Sequence, residues 1–320
     1  MLLDRRSFLK RTATVGAGLF ASQLPFRPAF ASGFRSGLGS GLGLGLGLGS
    51  VRERFLPEID LVIARGASPA RNVLAAIDAL GGMAKFVRPG DRVTIKANPV
   101  GNAPPEQAVC THPEMVGAVV RECLRVGAQR VVVASHDEPR AMQANGTAAE
   151  VTREGGILRP LGLAEHFERI LVPRGRVLPE VGLAKEVLES DVFINMPIAK
   201  HHAATRYTGA MKNLMGIVWD RLHFHAVDLD RCIAETSSAV RHDLVLMDAN
   251  HVLLTNGPVG PGKVIAPQQV IAGIDPVAVD SFATRFFDLE PRSVAHIGAA
   301  YEIGVGEIDI GKLRIREIDA

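Results

Sequence analysis

The sequence has 320 residues, of which 47% are hydrophobic and 22% are charged, a balance that is typical of a globular protein. Aromatic residues make up only 5% of the chain, which argues against a protein that stacks the bases of single-stranded nucleic acid. Residues 1–31 hold five basic residues and one acid, so the remainder has 31 basic and 33 acidic residues and lacks the positive charge of a nucleic-acid-binding protein.

The amino terminus contains, in order, the three regions of an export signal. Residues 4–10 (DRRSFLK) form a twin-arginine box, residues 13–24 are mildly apolar, and Ala29-Phe30-Ala31 offers small residues to a peptidase. The apolar stretch is too short and too rich in Gly and Ala to span a bilayer stably. We therefore predict a Tat signal peptide over residues 1–31. The Tat translocase is then the partner during export, and the mature protein is periplasmic or otherwise exported, without a stable transmembrane segment.

A glycine-rich segment follows the predicted signal. Residues 32–50 alternate Gly with Leu and Ser, and glycine at this density prevents a packed element. We predict a flexible linker over residues 32–56 and a single α/β domain over residues 57–320. Because Tat cargo folds before export, often around a cofactor loaded in the cytoplasm, this route also favours a bound metal or cofactor.

From residue 57 onward, strand-like and helix-like segments alternate. We predict strands at Ile59–Arg65, Arg92–Ala97, Arg130–Ala134, Ile170–Pro173, Val192–Met196, Leu244–Met247 and Val270–Ala272, and helices that start at Ser68-Pro69 and at Thr111 or cover Leu229–Val240, Pro276–Phe287 and Val294–Ile303. Strands separated by helices favour parallel pairing, so we predict an α/β fold with a mostly parallel sheet and helices on both faces. Sites in such sheets lie at the carboxyl ends of strands, which selects the loops 98–112, 135–140, 197–213 and 248–262.

Polar residues follow the second predicted strand. Lys96 and Asn98 end this strand, and Thr111-His112-Pro113 begins the next helix. The free backbone N–H groups of that helix start could receive an anion, and we expect Thr111 to cap the helix. Lys96 and Asn98 are therefore candidate ligand-binding residues, and His112 is a candidate catalytic residue.

The loop after the fifth predicted strand is the most informative segment. It presents Lys200, His201 and His202 together, and Lys212 and Asn213 follow a little further along. Cations and imidazoles at the open edge of a parallel sheet suit an anion or a metal. Lys200 and Asn213 are candidate ligand-binding residues, His202 and Lys212 are candidate catalytic residues, and both histidines are candidate metal ligands. The alternative is a solvated basic loop.

Further candidates come from the second half of the chain. His223 and His225 would place both imidazoles on one side of an extended segment, and Asp248 and Asp280 add carboxylates, so all four are candidate metal ligands. Asn256 opens the Gly/Pro-rich segment 256–262, where a backbone can approach a ligand closely, and it is a further candidate ligand-binding residue. Both patterns also occur in proteins without any ligand.

The three cysteines, Cys110, Cys123 and Cys232, are far apart and form no CxxC pair, so we expect no iron–sulfur cluster in this chain. Cys123 falls on the apolar face of a predicted helix and is expected in the core. The sequence also lacks the Gly-x-Ser-x-Gly and His-Glu-x-x-His patterns of hydrolases, and the Gly/Pro-rich segment 256–262 matches neither a P-loop nor a dinucleotide fingerprint.

Six segments together resemble one known family. They are residues 95–99 (IKANP), 111–114 (THPE), 194–197 (INMP) with Lys200 and His202, 208–216 (TGAMKNLMG), 256–258 (NGP) and 275–280 (DPVAVD). In this order, and across about residues 60–306, they resemble the DUF362 family, a domain of unknown function. The resemblance marks as motif positions Lys96, Asn98, His112, Lys200, His202, Lys212, Asn213, Asn256, Asp275 and Asp280. Many relatives carry a ferredoxin-like cysteine cluster, which implies redox or metal chemistry in those members, and this chain lacks that cluster.

Three functions are compatible with these residues. The first is an exported enzyme or cofactor protein whose pocket holds an anionic small molecule or a metal. The second is a non-catalytic periplasmic protein that binds the same anion or metal, and the third is a structural or interaction protein. The first two require that Lys200, His202, Lys212 and His112 meet in one hollow at the open rim of the sheet.

Overall fold

The computed structural model describes residues 55–136 and 139–320 of the chain. The strands of these residues form one large sheet of eleven strands and one sheet of two. The predicted signal peptide, and the predicted linker up to residue 54, lie outside the described residues. None of the described helices combines the length and the apolar character that a membrane crossing requires.

The described strands and helices alternate for most of the chain. The strands are β1 (Leu61–Arg65), β2 (Arg92–Ala97), β3 (Arg130–Ser135), β4 (Ile157–Pro160), β5 (Phe167–Leu171), β6 (Glu180–Ala184), β7 (Val192–Met196), β8 (Ile198–His202), β9 (Arg206–Thr208), β10 (Leu244–Leu253), β11 (Val264–Ile265), β12 (Gln269–Gly273) and β13 (Ile315–Asp319). The helices are α1 (Pro69–Ala79), α2 (Pro113–Arg125), α3 (Pro139–Ala144), α4 (Thr147–Arg153), α5 (Lys185–Leu188), α6 (Ala210–Asn213), α7 (Arg221–Val227), α8 (Leu229–Ala239), α9 (Pro276–Ala283) and α10 (Ala295–Glu302).

The strands of the large sheet lie in the order β13-β1-β12-β10-β7-β2-β3-β4. Pairing is parallel from β10 through β7, β2 and β3 to β4, and also between β1 and β13. Strand β12 runs antiparallel to both of its neighbours, because it follows β10 along the chain without an intervening helix. The predicted α/β fold with a mostly parallel sheet is confirmed, although β12 and the short strands β9 and β11 pair antiparallel with their neighbours.

Helices cover both faces of the sheet, as predicted. In β1, Val62 and Ala64 pack in the core cluster that contains the buried residues of α1 and α2, while Leu61 and Ile63 pack in the cluster that contains those of α9 and α10. Alternate residues of a strand point to opposite faces, so this single strand divides the two core layers. All four residues are fully buried, and burial of aliphatic side chains on both faces is the main stabilising contribution in such a sheet.

Strand β10 is longer than predicted, and this moves Asp248 into its interior. Its first half pairs with β7 and its second half with β8, in parallel in both cases. Pro197 lies between β7 and β8, and its carbonyl oxygen accepts a hydrogen bond from the backbone N–H of Asp248 at 2.9 Å. The prediction that Asp248 ends its strand is therefore wrong, because β8 supplies a second partner that extends the pairing to Leu253.

One predicted strand belongs to a different sheet than expected, and one predicted helix cap is wrong. The strand predicted at Ile170–Pro173 is β5, which pairs antiparallel with β6 outside the large sheet, since the two strands follow each other directly in the chain. Thr111 does not cap α2, because its hydroxyl donates to the carbonyl of Met196 at 2.8 Å and accepts from the backbone N–H of Asn98 at 2.9 Å. That side chain instead joins the ends of β2 and β7.

Candidate functional site

A cavity of about 350 Å³ opens at the carboxyl ends of β2, β3 and β8. We call it the rim pocket. Its charged and imidazole-bearing lining residues are Lys96, Lys200, Lys212, Arg221, His136, His202 and His225. Its other lining residues are Asn98, Asn213, Ser135, Thr208, Gly216, Pro99, Val100, Met215, Leu222 and Pro258. Among the described residues of this lining there is no Asp or Glu, so the net charge of the described lining residues is positive.

Lys96 is almost fully buried at the end of β2. Its ammonium group donates to the carbonyl oxygen of Ala97 and, at 3.2 Å, to the side-chain oxygen of Asn213. Gly216 leaves the space for this arrangement, since a Cβ there would overlap with the lysine side chain and lie 2.8 Å from its nitrogen. The space that the Lys96 side chain occupies therefore explains why the motif segment 208–216 has a glycine at position 216.

Asn213 fixes helix α6 to the strands beneath it. Its amide nitrogen donates to the carbonyl of Lys96 at 3.0 Å and to the side-chain oxygen of Asn195 at 2.8 Å. Asn195 in turn donates to the carbonyl of Ala210 at 2.8 Å. Buried amides that satisfy one another in this way specify a single arrangement, so Asn213 acts on the pocket mainly by holding its floor in place.

Lys200 lies on β8 and is 1% exposed. Its ammonium group donates to the carbonyl oxygen of Val109 at 2.6 Å and to the side-chain oxygen of Asn98 at 3.4 Å. Both of these acceptors are uncharged oxygens, so the two contacts fix the position of the ammonium group without neutralising it. Lys200 therefore contributes positive potential to the rim pocket together with Lys96.

Lys212 lies on α6 and faces the same cavity. Its ammonium group lies 3.4 Å from the sulfur of Met215, which is a weak acceptor. Burial lowers the pKa of Lys212 to about 8, and the more distant carboxylate of Asp230 only partly opposes this effect. Lys212 is thus a cation that can lose its proton in the mildly alkaline range.

His202 is a neutral hydrogen-bonding group in this pocket. Burial, followed by the charges of Lys212 and Lys200, lowers the pKa of His202 to about 3. Its Nδ1 accepts a hydrogen bond from the backbone N–H of Ala204 at 3.1 Å, so the proton of the neutral ring is on Nε2. The side chain can therefore offer an N–H donor to a bound molecule without carrying charge.

Asp280 positions the segment that carries Lys212. Its carboxylate accepts from the backbone N–H groups of Ala210 at 2.6 Å and Met211 at 3.1 Å, and from the hydroxyl of Tyr207 at 3.2 Å. Burial raises the pKa of Asp280 to about 6, against the opposing effect of these donors. Both carboxylate oxygens are used within the fold, so the structure gives Asp280 a positioning role and not a place in the rim pocket.

The structure brings most of the predicted site residues together. Lys96, Asn98, Lys200, His202, Lys212, Asn213 and His225 all line the rim pocket. Sequence reasoning selected the loop after β3 without naming a residue in it, and so missed Ser135 and His136. It also missed Arg221, because α7 was not predicted. The available signal for Ser135 and His136 was their position at the carboxyl end of a buried strand, where sites in parallel sheets lie.

Six predicted residues, Asp280 among them, do not line the rim pocket. His112 precedes α2, and its backbone N–H donates to Asp248 at 2.7 Å, while Asp248 also accepts from Asn250. Asn256 is exposed, and its amide donates to the carbonyl of Pro261 at 3.0 Å. The remaining two, His201 and His223, are absent from the lining as well. The expectation that His112 joins the pocket is therefore wrong, since its side chain sits at a helix start tied to β10.

The predicted His223 and His225 pair is not extended. Both residues lie in α7, where two positions correspond to a rotation of about 200°. Only His225 therefore reaches the rim pocket, and His223 does not. In the part of the chain that the structure describes, no three His, Cys, Asp or Glu side chains are grouped so that they could hold a metal ion. The three cysteines are free and buried, and Cys123 lies in the core as predicted.

Comparison with known proteins gives a family match and one curated relative. The family model described as "Domain of unknown function (DUF362)" matches residues 93–285. The thylakoid-associated protein sll1697 of Synechocystis sp. is 31% identical over 247 residues, which cover 72% of this chain and 73% of that protein. The matched range contains every residue that lines the rim pocket.

Two solved structures are similar at a low level. The lactate racemase apoprotein from Thermoanaerobacterium thermosaccharolyticum has a TM-score of 0.41 and 12% identity, covering 75% of this chain and 56% of that one. A protein from Thermotoga maritima has a TM-score of 0.41 and 10% identity, covering 73% of this chain and 59% of its own. This chain thus matches less than two thirds of the length of either structure.

Proposed function

This chain belongs to the DUF362 family, and from that membership and its geometry we propose that it binds a small organic anion in the rim pocket. One observation carries the proposal. Three lysines and an arginine converge on a cavity whose described lining holds no carboxylate. Three of the lining residues, Lys96, Lys200 and Lys212, belong to the family motif segments.

The electrostatics of the rim pocket favour an anion. Like charges that share a partly buried site repel one another, and two unit charges about 4 Å apart interact by roughly 4 kcal/mol at the effective dielectric of a protein surface. Burial lowers the pKa of Lys212 to about 8, and burial followed by the charges of Lys212 and Lys200 lowers the pKa of His202 to about 3. A bound anion would offset both effects.

The remaining lining residues indicate the class of anion. A volume of about 350 Å³ is at the lower end of small-molecule sites, which fits a carboxylic acid or a phosphate ester of a few carbon atoms. The Nε2–H of His202 and the hydroxyls of Ser135 and Thr208 can supply neutral hydrogen bonds. Leu222 lines the pocket but is 82% exposed, so its apolar surface is available to the tail of such a ligand.

A thermal-shift screen of the full chain tests this proposal. Acetate, butyrate, phosphate and sulfate are compared at equal ionic strength, because chloride competes for any cationic site. We expect at least one anion to raise the melting temperature in the wild type, with little effect in Lys212→Gln. Lys263→Gln is the matched control, since Lys263 is an exposed lysine outside the pocket. Equal shifts in all three proteins would contradict the proposal.

A second candidate function is acid–base catalysis on the bound anion. A lysine whose pKa of about 8 lies near the working pH, next to a neutral imidazole in a cleft, is typical of a catalytic site. Lys212 and His202 are then the candidate catalytic residues. Lys212→Arg keeps the positive charge but cannot exchange a proton near neutral pH, so binding without turnover in this variant would favour an enzyme over a binding protein.

We also propose that the chain is exported by the Tat translocase and acts in the periplasm or outside the cell. The support is the twin-arginine box at residues 4–10 together with the small residues at Ala29-Phe30-Ala31. Replacement of Arg5 and Arg6 by lysine should leave an uncleaved protein in the cytoplasmic fraction. Unchanged processing and fractionation of that variant would contradict Tat export while leaving the proposed pocket chemistry intact.

A further inference from the structure

Lys212 differs from the other two pocket lysines in what its nitrogen contacts. Lys96 and Lys200 donate to backbone carbonyl and amide oxygens, which hold each ammonium group in a fixed place. Within the described part of the chain, the hydrogen-bond acceptor of Lys212 is the thioether of Met215. A thioether stabilises an ammonium ion far less than an oxygen does. The nitrogen of Lys212 is therefore the one among the three that the fold leaves available to a ligand.

The surroundings of Lys212 also favour its neutral form. Lys96, Lys200 and Arg221 line the same cavity, and no described lining residue is a carboxylate that would hold the proton. Burial is the main cause of the lowered pKa of about 8 for Lys212. Desolvation and neighbouring cations are the two means by which proteins turn a lysine into a nucleophile near neutral pH.

The pocket can hold a carboxylate next to this amine. Lys200 and Arg221 line the same cavity as Lys212, so an acid whose carboxylate is held by these cations has its neighbouring carbon inside the cavity that Lys212 also lines. An acid whose neighbouring carbon is a ketone would present an electrophile to that nitrogen. The exposed side chain of Leu222 at the mouth leaves room for an aliphatic substituent beyond the ketone.

We propose that Lys212 forms an imine with a 2-oxo acid whose carboxylate is held by the cations of the rim pocket. This inference rests on the proposed anion site and names its ligand class. The nitrogen lone pair forms a bond to the ketone carbon while the C=O π bond breaks, and the oxygen takes up a proton. The hydroxyl of this carbinolamine takes up the second proton that the nitrogen gives up and leaves as water, while the nitrogen lone pair forms the C=N bond as the C–O bond breaks. In sum, ammonium and ketone give a protonated imine and water, with no net change in protons and no oxidant or reductant.

Reductive trapping tests the imine directly. The full chain is incubated with pyruvate and cyanoborohydride at mildly alkaline pH, and the modified lysine is located by peptide mass mapping. We expect one reduced pyruvyl group on Lys212, formed at least about tenfold faster than on the exposed Lys263, whose amine is not desolvated. Acetate, which has the carboxylate but no ketone, should slow the modification of Lys212.

Lys212→Arg separates the imine from simple anion binding. Arginine keeps the charge, so acetate should still raise the melting temperature of this variant, while the specific adduct should disappear. Two results would overturn the proposed imine and leave the proposed function intact. The first is adducts that are spread equally over exposed lysines, and the second is the absence of any adduct in a protein that still responds to acetate. A protein that neither forms the adduct nor responds to acetate, pyruvate or phosphate would overturn both.

Discussion

At the scale of single residues, the protonation of Lys212 controls the charge that an anion meets. We predict that anion affinity is constant from neutral pH to about 8 and then falls by up to about tenfold per pH unit, because the pKa of about 8 marks the loss of its proton. Calorimetric titration across this pH range measures the effect. The same titration of Lys212→Arg should show no such fall, and an identical fall in both proteins would assign the effect to another group.

The lowered pKa of Lys212 also leads to a prediction about the stability of the fold. In the folded chain the pKa of Lys212 is lowered from its ordinary value of 10.5 to about 8, so the charged form is disfavoured by folding. Its destabilising contribution is fully present below pH 8 and disappears as the pH rises from about 8 to 10.5. Lys212→Met should therefore raise the free energy of unfolding at neutral pH by about 1–3 kcal/mol while it weakens anion binding.

Denaturant unfolding at neutral pH checks this second prediction. Lys263→Met is the control, because an exposed lysine should contribute little to stability in either form. If Lys212→Met were less stable than the wild type, Lys212 would be a structural residue and the site would lose its main support. A gain in stability with a loss of binding is the pattern expected of a functional residue.

Residue types were easier to predict from the sequence than residue contacts. Lys96, Lys200 and Lys212 were recognised because each lies at or shortly after a strand end. The role of Asp280 could not be predicted, since its partners Ala210 and Met211 are about seventy positions away and meet it only through packing of α9 on α6. The prediction for His112 failed because it relied on closeness in sequence: His112 follows Asn98 by fourteen positions, but its side chain does not line the cavity.

At the scale of elements, the segment from β9 to the end of α6 and the following turn shapes the pocket floor. Gly216→Ala tests this, because the added Cβ would overlap with Lys96 and displace its ammonium group. We predict a loss of about 1–3 kcal/mol in the free energy of unfolding and a weaker response to anions. Gly298→Ala is the matched control: Gly298 lies in α10, where the nearest atom to a new Cβ is 3.5 Å away.

For the control, Gly298→Ala, we expect a change in the free energy of unfolding that is opposite in sign. Alanine in a helix interior is favoured over glycine by up to about 1 kcal/mol, so Gly298→Ala should be neutral or stabilising and should leave anion binding unchanged. Thermal unfolding with and without the anion measures both quantities. Similar behaviour of the two variants would show that the turn at Gly216 does not determine where Lys96 points.

Helix α7 shows why some elements escaped prediction. Its seven residues include His223, Phe224 and His225, which look like an extended metal-binding pair in the sequence. Phe224 is fully buried and anchors this short helix, while Arg221 and His225, which lie about one turn apart, line the pocket. A helix of two turns gives too little periodicity to recognise, whereas α1, α2 and α8 span three turns or more and were predicted.

At the scale of the whole molecule, the order of the strands in the large sheet determines where the rim pocket lies. Strands β2 and β7 are adjacent in the middle of the sheet and β3 flanks β2, so the loops that leave their carboxyl ends converge. The rule for parallel sheets predicted this convergence from the alternation of strands and helices alone. It did not predict that β12, the strand expected at Val270–Ala272, runs antiparallel, because this direction depends on a connection without a helix, and the β11 segment gave no clear pattern.

Ligand binding should also stabilise the entire fold, since the lining residues come from elements that are far apart in the chain. A ligand that binds only the folded state at about one hundred times its dissociation constant adds roughly 2.7 kcal/mol to the free energy of unfolding. We predict that the anion that shifts the melting temperature also slows hydrogen exchange in both β2 and α6. Protection confined to one of them would place the anion outside the rim pocket.

Calorimetric titration of the full chain with that anion at low chloride is the most direct test of an anion-binding rim pocket. We predict saturable binding at one site in the wild type and in Lys263→Gln, and a loss of about tenfold or more in affinity in Lys212→Gln and in Arg221→Gln. Binding that does not saturate, or that weakens equally when Lys263 is replaced, would contradict the account.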